Sequence, residues 1–185
     1  MATPKRKTVV MSWSEVLVLF GLTGANDAFA TELYTLGIIN DKSTSLSFSE
    51  GDTLTATATG GKVVAEEYSD GTIEVTTRVK EMDFDTEHLL TGSTVDTATG
   101  NLVVTTHIVE KEMSLKVVPK NVGAIGIKAR RCKVKFVPGY SEEEGNFVDV
   151  TFKILECEDG ELYQKFRVKA EDKTGYKVPG DTTAG

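Results

Sequence analysis

The fold of this chain is decided by residues 46–92, which read LSFSEGDTLTATATGGKVVAEEYSDGTIEVTTRVKEMDFDTEHLLTG. Apolar Leu54, Ala56 and Ala58 alternate with threonines, and the run 73–80 alternates in the same way. Alternation with a period of two is typical of strands that have one buried face and one solvent-exposed face. Gly-Gly and Asp-Gly pairs separate the runs and allow the positive φ angles of tight hairpin turns. The stretch therefore predicts a meander of antiparallel strands.

A short helix is predicted at the end of this stretch, within residues 82–90. Asp83 or Asp85 is the expected N-cap, because a short acidic side chain accepts hydrogen bonds from the first free backbone NH groups. Gly92 is expected to end the helix at its C-terminus. Five apolar side chains of the whole stretch are expected in the core: Leu54, Ile73, Val75, Phe84 and Leu90.

The chain is interpreted as one domain over residues 1–185, with polar segments at its two ends. Residues 1–12 are expected to form an N-terminal arm that begins with basic residues, and residues 171–185 a flexible C-terminal tail. Thr8–Trp13 is also a strand candidate, so the end of the arm overlaps a possible first strand.

Residues 14–21 are continuously apolar after Glu15, a pattern that fits either a strand buried on both faces or a short helix. The frequent valines favour the strand. The basic residues 5–7 and the apolar run together resemble a secretory signal peptide. Trp13, Ser14 and Glu15 interrupt that pattern, so secretion is the less favoured interpretation.

The second half of the chain also predicts β structure. Alternating or apolar runs indicate strands, and Glu158–Glu161 is expected to form a tight hairpin from which the chain returns over residues 162–170. The strand candidates are residues 31–39, 102–109, 113–118, 123–137 and 147–157. The expected fold is an all-β antiparallel sandwich or barrel-like structure with one short α-helix and extended loops.

Composition and charge exclude some classes of protein. The formal net charge is −7. This charge disfavours a protein that binds nucleic acid and recognises its sequence, because such proteins neutralise phosphates with Lys and Arg. No stretch reaches the ~20 apolar residues of a membrane span. Cys132 and Cys157 lack zinc-site spacing and are interpreted as buried free thiols, with a disulfide as the alternative.

Catalytic motifs are not evident in the sequence. His88 and His107 have no companion at metal-ligand spacing, and no phosphate-binding or nucleophile motif is present. Runs of adjacent carboxylates such as Glu66-Glu67 are interpreted as solvated turns and faces. We therefore predict no catalytic residue, no metal and no cofactor.

The distribution of charge suggests self-association. Basic residues concentrate in the middle of the chain, whereas acidic residues concentrate at 66–87 and 142–161. Opposite patches on neighbouring copies favour head-to-tail contacts. Evenly solvated strand faces explain the same pattern equally well. The candidate basic patch between subunits consists of Lys128, Arg130, Arg131 and Lys133.

Several pieces of residues 46–92 resemble the major tail tube proteins of tailed bacteriophages. They are SLSFSEGD (45–52), GKVVAEE (61–67), SDGTIEV (69–75) and the segment 79–91 that leads into the helix. The resemblance implies a β-sandwich with a flanking helix that assembles as hexameric rings, which stack through loops and arms. Glu66, Glu67 and Asp70 would then lie in the lumen or between rings.

The resemblance also implies a place and partners. The protein would be a structural part of the virion tail, assembled in the host cytoplasm, and DNA would pass through the tube without sequence-specific binding. The tape measure protein, the tail terminator and baseplate proteins would be its partners, and no membrane would be involved. Alternatives are a tube protein of a contractile injection system, a neck or baseplate protein, and a secreted β-sandwich binding module.

Overall fold

The computed structural model describes residues 13–68, 71–104 and 111–180 of the chain. These residues form thirteen strands and one α-helix. In chain order they are β1 Val16–Leu22, β2 Tyr34–Thr35, β3 Ile38–Ile39, β4 Ser45–Ser49, β5 Thr53–Ala58, β6 Lys62–Tyr68, β7 Thr72–Lys80, α1 Phe84–Thr91, β8 Thr94–Val95, β9 Leu102–Val103, β10 Met113–Pro119, β11 Ile125–Ser141, β12 Gly145–Ile154 and β13 Gln164–Arg167.

Nine of the strands form one antiparallel sheet with the order β2-β1-β10-β11-β12-β7-β3. In addition β13 pairs with β11, and β4 pairs with β7. The sheet curls into a half-barrel, so the prediction of an all-β, barrel-like fold with one short helix is confirmed. Residues 14–21 fall largely in β1, which confirms the preference for a strand there.

The core lies inside the curl of the sheet. Along β7 and β12 the side chains that point inward are buried, whereas their neighbours are only partly covered, as period-two alternation requires. Val75 and Leu90 are buried as predicted, and Ile73 packs against the same core while staying partly exposed. Other large buried side chains are Phe20, Leu36, Met113, Leu115 and Phe152.

The predicted meander of residues 46–92 is wrong in its pairing. Strand β4 pairs directly with β7, with Ser45 opposite Thr76 and Ser49 opposite Thr72. Strands β5 and β6 lie between β4 and β7 in the chain, and they form a separate two-stranded sheet. Leu54 is therefore 65% exposed, and its assignment to the core is wrong because no element of the described chain covers this hairpin.

Helix α1 has the predicted ends. The side chain of Asp83 accepts a hydrogen bond from the backbone NH of Asp85, and Gly92 ends the helix with φ +74° and a backbone hydrogen bond to the His88 carbonyl oxygen. Phe84 was expected in the core but is 47% exposed. It is the first residue of the helix, whose buried residues are Thr86, Leu90 and Thr91.

The predicted return of the chain after residues 158–161 is also wrong. A tight turn exists, because the NH of Cys157 donates to Glu161 and the NH of Gly160 donates to Cys157. The chain then resumes its direction, since β12 and β13 are both antiparallel to β11 and pair with successive parts of it. Residues 155–163 therefore form a loop that connects β12 to β13 along the same edge of β11.

Three other segments differ in extent from their predictions. The strand expected at residues 31–39 is divided into β2 and β3 by Leu36 and by Gly37, whose φ is +107°. The strand expected from residue 102 is seen as β9, and residues 105–110 lie outside the described residues. The interval between the strands expected at residues 123–137 and 147–157 is shortened to a turn because β11 and β12 pair as far as Ser141 and Gly145.

The C-terminal segment contacts the body of the protein. Backbone NH of Lys177 donates to Leu33, and its carbonyl oxygen accepts from Thr35. Tyr176 packs against a small second core beside Val168. The expected loose tail is thus not observed for residues 171–180, while residues 1–12 and 181–185 lie outside the described residues.

Candidate interaction surfaces

The β5–β6 hairpin is exposed along its whole described length. Every residue of β5 is exposed, and Val63 and Val64 of β6 are exposed by 52% and 61%. Leu54, Ala56 and Ala58 share one face because they alternate along the strand. Alternation of this kind normally indicates a strand with one buried face, but in the protomer this face of β5 is exposed.

The base of the hairpin is fixed tightly to the main sheet. Ser49 and Thr72 are opposite each other, and the NH of Thr72 donates to the Ser49 hydroxyl oxygen at 3.1 Å. A Cβ on Gly71 would lie 1.9 Å from the Ser49 carbonyl oxygen. Only glycine allows this close approach of the two backbones. The glycine at position 71 therefore determines where the hairpin leaves the main sheet.

Strand β4 is an open edge. Within the described chain β4 has one strand partner, β7, so its outer backbone groups face away from the sheet. Phe48 on this edge is 60% exposed, and its ring lies 6.4 Å from that of Tyr163. A cleft of about 580 Å³ beside it is lined in part by Ile73 and Leu162. The edge and the cleft form an apolar margin next to the base of the hairpin.

The outer face of strands β4, β7, β12 and β11 carries no covering element in the described structure. We call this four-stranded surface the bare face. Its side chains are exposed or partly exposed, whereas the alternate side chains of β7, β11 and β12 are almost all buried in the core. The bare face consists of Ser45, Ser47 and Ser49 on β4, Thr72, Glu74, Thr76 and Arg78 on β7, Phe147, Asp149, Thr151 and Lys153 on β12, and Lys133, Lys135 and Val137 on β11.

One ion-pair cluster orders the end of the bare face. The Arg78 guanidinium donates to both carboxylate oxygens of Asp149, at 2.7 and 2.9 Å, and to Glu144 at 2.7 Å. It also lies 4.1 Å from the centre of the Phe147 ring. The hydrogen bond to Asp149 is the main reason why the pKa of Arg78 is raised.

The other half of the outer surface is covered by the C-terminal segment. Lys116 Nζ donates to Asp172 at 2.8 Å, and both side chains are mostly shielded from solvent. Burial alone would raise the pKa of Asp172, but hydrogen bonds from Lys116 and from the backbone NH of Lys169 outweigh it and lower the pKa. This half is a packed surface, in contrast to the bare face.

The four cations of the predicted basic patch lie along β11, and each of them has a contact within the protomer. Arg130 binds Asp159 and lies 3.1 Å from a Glu161 oxygen. Arg131 Nε donates to Glu112 at 2.6 Å, a hydrogen bond that lowers the pKa of Glu112. The other two cations are Lys128, 4.1 Å from the ring centre of Phe29, and Lys133, 3.8 Å from Glu112. Their role between subunits stays a prediction.

Two of the three predicted acidic residues, Glu66 and Glu67, belong to β6. Glu66 lies on β6 opposite Thr55 and is exposed. The backbone of Glu67 pairs with Leu54, but its side chain lies outside the described residues, as does Asp70. A lumen or inter-ring position for these acids stays a prediction.

The two cysteines are buried free thiols, as predicted. Burial raises the pKa of Cys132 to about 12 and also raises that of Cys157. Nδ1 of His88 contacts the Ser93 carbonyl oxygen, and His107 lies outside the described residues. No cluster of three or more His, Cys, Asp or Glu side chains suited to a metal ion occurs among residues 13–68, 71–104 and 111–180.

The sequence was compared with protein families and with curated proteins. No protein-family model matches the chain, and no curated protein matches it at a significant level. In the described part of the chain, no helix has the length and apolar character needed to cross a membrane.

Proposed function

We propose that this protein is a structural virion protein that polymerises as stacked rings, with hexamers as the expected ring, to form the tail tube of a bacteriophage. The observation that carries the proposal is the β5–β6 hairpin, a two-stranded element with exposed apolar side chains that forms a sheet of its own and has no cover within the described protomer. The resemblance of residues 45–91 to tail tube proteins is the reason why we propose a tail tube rather than another kind of assembly.

The hairpin needs a partner for physical reasons. An isolated two-stranded hairpin is at best marginally stable in water. Leu54, Val63 and Val64 are each more than half exposed, so packing them against another copy would remove apolar area from water. The contact would join different surfaces of two copies, and such head-to-tail contacts generate rings or filaments.

The open edge of β4 supports closure of a ring. Natural edge strands are commonly protected by lysine, proline or a bulge, because unpaired backbone groups recruit other strands. Ser45–Ser49 contains neither lysine nor proline and pairs with β7 in unbroken register. A strand of a neighbouring copy that pairs here would extend the sheet from subunit to subunit.

The bare face supports a position on the wall of a channel. It is polar and rich in hydroxyl groups. In the proposed tube this face would line the conduit for the genome, while Glu66, Glu67 and Asp70 would lie between rings. The tape measure, tail terminator and baseplate proteins are the proposed partners of the completed tube.

The proposal is tested by removing the apolar surface of the hairpin without touching the core. We expect the double variant Leu54→Asp, Val64→Asp to fold normally but to sediment as a monomer at concentrations at which the wild-type protein forms large assemblies. Val122→Asp is the matched control, because Val122 is 60% exposed and lies elsewhere. Assemblies of unchanged size in the double variant would overturn the role of the hairpin.

A further inference from the structure

The tip of the β5–β6 hairpin carries two neighbouring valines and one lysine. The pairing register of β5 and β6 shifts by one residue between Ala56 and Thr57, which makes Val64 the extra residue of a β-bulge. A bulge breaks the strict alternation of side chains and re-aims them. Val63 and Val64 are each more than half exposed, and Lys62 beside them is exposed as well. The tip therefore presents an apolar pair next to a positive charge.

The cleft beside β4 has apolar walls that stay exposed in the protomer. Its volume is about 580 Å³, and Phe48, Ile73 and Leu162 are among its lining residues. Phe48 is 60% exposed and Leu162 is 39% exposed. Apolar side chains of a partner that enter this cleft would remove both of these side chains from water, which favours binding. The open edge of β4 adjoins the same cleft, because Phe48 and Ser49 of that strand line it.

The charges of the cleft and of the hairpin tip are complementary. Glu50, Glu156 and Lys153 line the cleft, so its carboxylates exceed its ammonium groups by one. Lys62 is the one cation among residues 53–66 of the hairpin. In the described chain no ion pair involves Glu50, Glu156 or Lys62. Opposite charges on two surfaces steer their encounter and fix how they fit together.

The hairpin of a protomer holds its tip away from the cleft of the same protomer. Its base adjoins the cleft, because Gly71 is one of the lining residues. At about 3.3 Å per residue, the strand from Thr53 to Gly60 carries the tip about 23 Å from that base. A Cβ on Gly60 would have no atom of the described chain within 4 Å apart from its chain neighbours, so the tip is free. A tip that enters the cleft must therefore come from a second copy, and Glu66, nearer the base, would stay outside.

We propose that the tip of the β5–β6 hairpin of one copy docks in the cleft beside β4 of the next copy. The two valines cover the exposed apolar side chains of the cleft, and Lys62 lies beside its carboxylates. The inference rests on the proposed function, which requires the hairpin to contact another copy but does not say where on that copy. It names the receiving surface. Because the two surfaces differ, each copy can donate one tip and accept another, which is a head-to-tail contact.

Complementation between two defective full-length proteins tests this docking site. The hairpin variant Leu54→Asp, Val64→Asp keeps an intact cleft, and the cleft variant Phe48→Ser, Leu162→Ser keeps an intact hairpin. We expect each variant alone to stay a single chain in sedimentation equilibrium. An equal mixture should form particles of two chains that grow no further, because the one intact hairpin and the one intact cleft are then joined to each other.

Charge reversal tests the same contact and leaves its apolar side chains in place. Lys62→Glu, added to the cleft variant that donates the hairpin, should weaken the two-chain particle about fivefold, the size of effect expected for an exposed ion pair. Lys169→Glu makes the same change of charge at an exposed lysine elsewhere and should have no effect. Glu50→Lys and Glu156→Lys, added to the hairpin variant, should restore binding to the Lys62→Glu protein.

The outcome is separable from that of the proposed function. A cleft variant that polymerises as far as the wild-type protein, or a mixture that contains only single chains, would overturn the docking site. If the wild-type protein forms tubes in that case, the tail tube stands and the hairpin docks elsewhere. Two-chain particles in the mixture, together with wild-type chains that grow without closing into rings, would refute the tail tube alone.

Discussion

The backbone of Gly71 passes so close to the Ser49 carbonyl oxygen that a Cβ at Gly71 would lie 1.9 Å from it. Gly71→Ala must therefore push apart the two strands at the base of the hairpin. We expect the free energy of unfolding to fall by about 1–3 kcal/mol, the usual range for overpacking. Urea denaturation followed by circular dichroism measures it. Ser47→Ala, on the exposed face of β4, is the control, and equal midpoints for both variants would contradict the close approach.

Burial distinguishes Val75 from Leu54, two residues that follow the same sequence pattern. Val75 is buried in the main sheet and Leu54 is 65% exposed on the hairpin. Val75→Asp would bury a charge and should remove more than about 4 kcal/mol, enough to prevent soluble folding. Leu54→Asp should change the free energy of unfolding by less than about 0.5 kcal/mol. Soluble expression and thermal unfolding report both effects, and a folded Val75→Asp protein would refute the core assignment.

The ion pair between Lys116 and Asp172 gives a stability that depends on pH. The pKa of Asp172 is lowered in the folded protein, so its contribution is present above the carboxyl pKa of the unfolded chain and is lost as pH falls through the folded value. Asp172→Asn should reduce the free energy of unfolding at neutral pH by about 1 kcal/mol, after allowance for solvent screening. Once the pH falls below the lowered pKa of folded Asp172, the variant and the wild-type protein should converge, because both then carry a neutral side chain. A gap of constant size across this range would contradict the assignment.

The thiols should be unreactive in the folded protein. Because burial raises the pKa of Cys132 to about 12, very little thiolate forms at mildly alkaline pH, and Cys157 is shifted in the same direction. We expect a colorimetric thiol reagent to label neither cysteine quickly in the native state and both after denaturation. Fast native labelling would show that the site opens, and absence of labelling after denaturation would show a disulfide.

Local patterns in the sequence predicted the parts of the fold that depend on near neighbours. Alternation assigned Val75 to the core, and the cap chemistry of Asp83 and Gly92 located both ends of α1. The same alternation misassigned Leu54, since a period of two separates two faces but does not say what covers the apolar one. In the described protomer nothing covers it, and the proposed cover is another copy.

Pairing between distant residues was not predictable in the same way. The turn at Glu158–Glu161 indicated a hairpin, but Leu155 donates to Arg131 and the chain continues along β11. The charge count suggested a basic patch, yet the acids that bind Arg130 and Arg131 come from other elements.

The central claim, polymerisation into a tube, is tested most directly by negative-stain electron microscopy of the purified full-length protein after prolonged concentration. The account predicts rings or hollow tubes of uniform diameter, and the images would give the ring symmetry. It also predicts that Leu54→Asp, Val64→Asp abolishes them, whereas Val122→Asp does not. Monodisperse single particles of the size of one chain, at every concentration and in all three proteins, would contradict it.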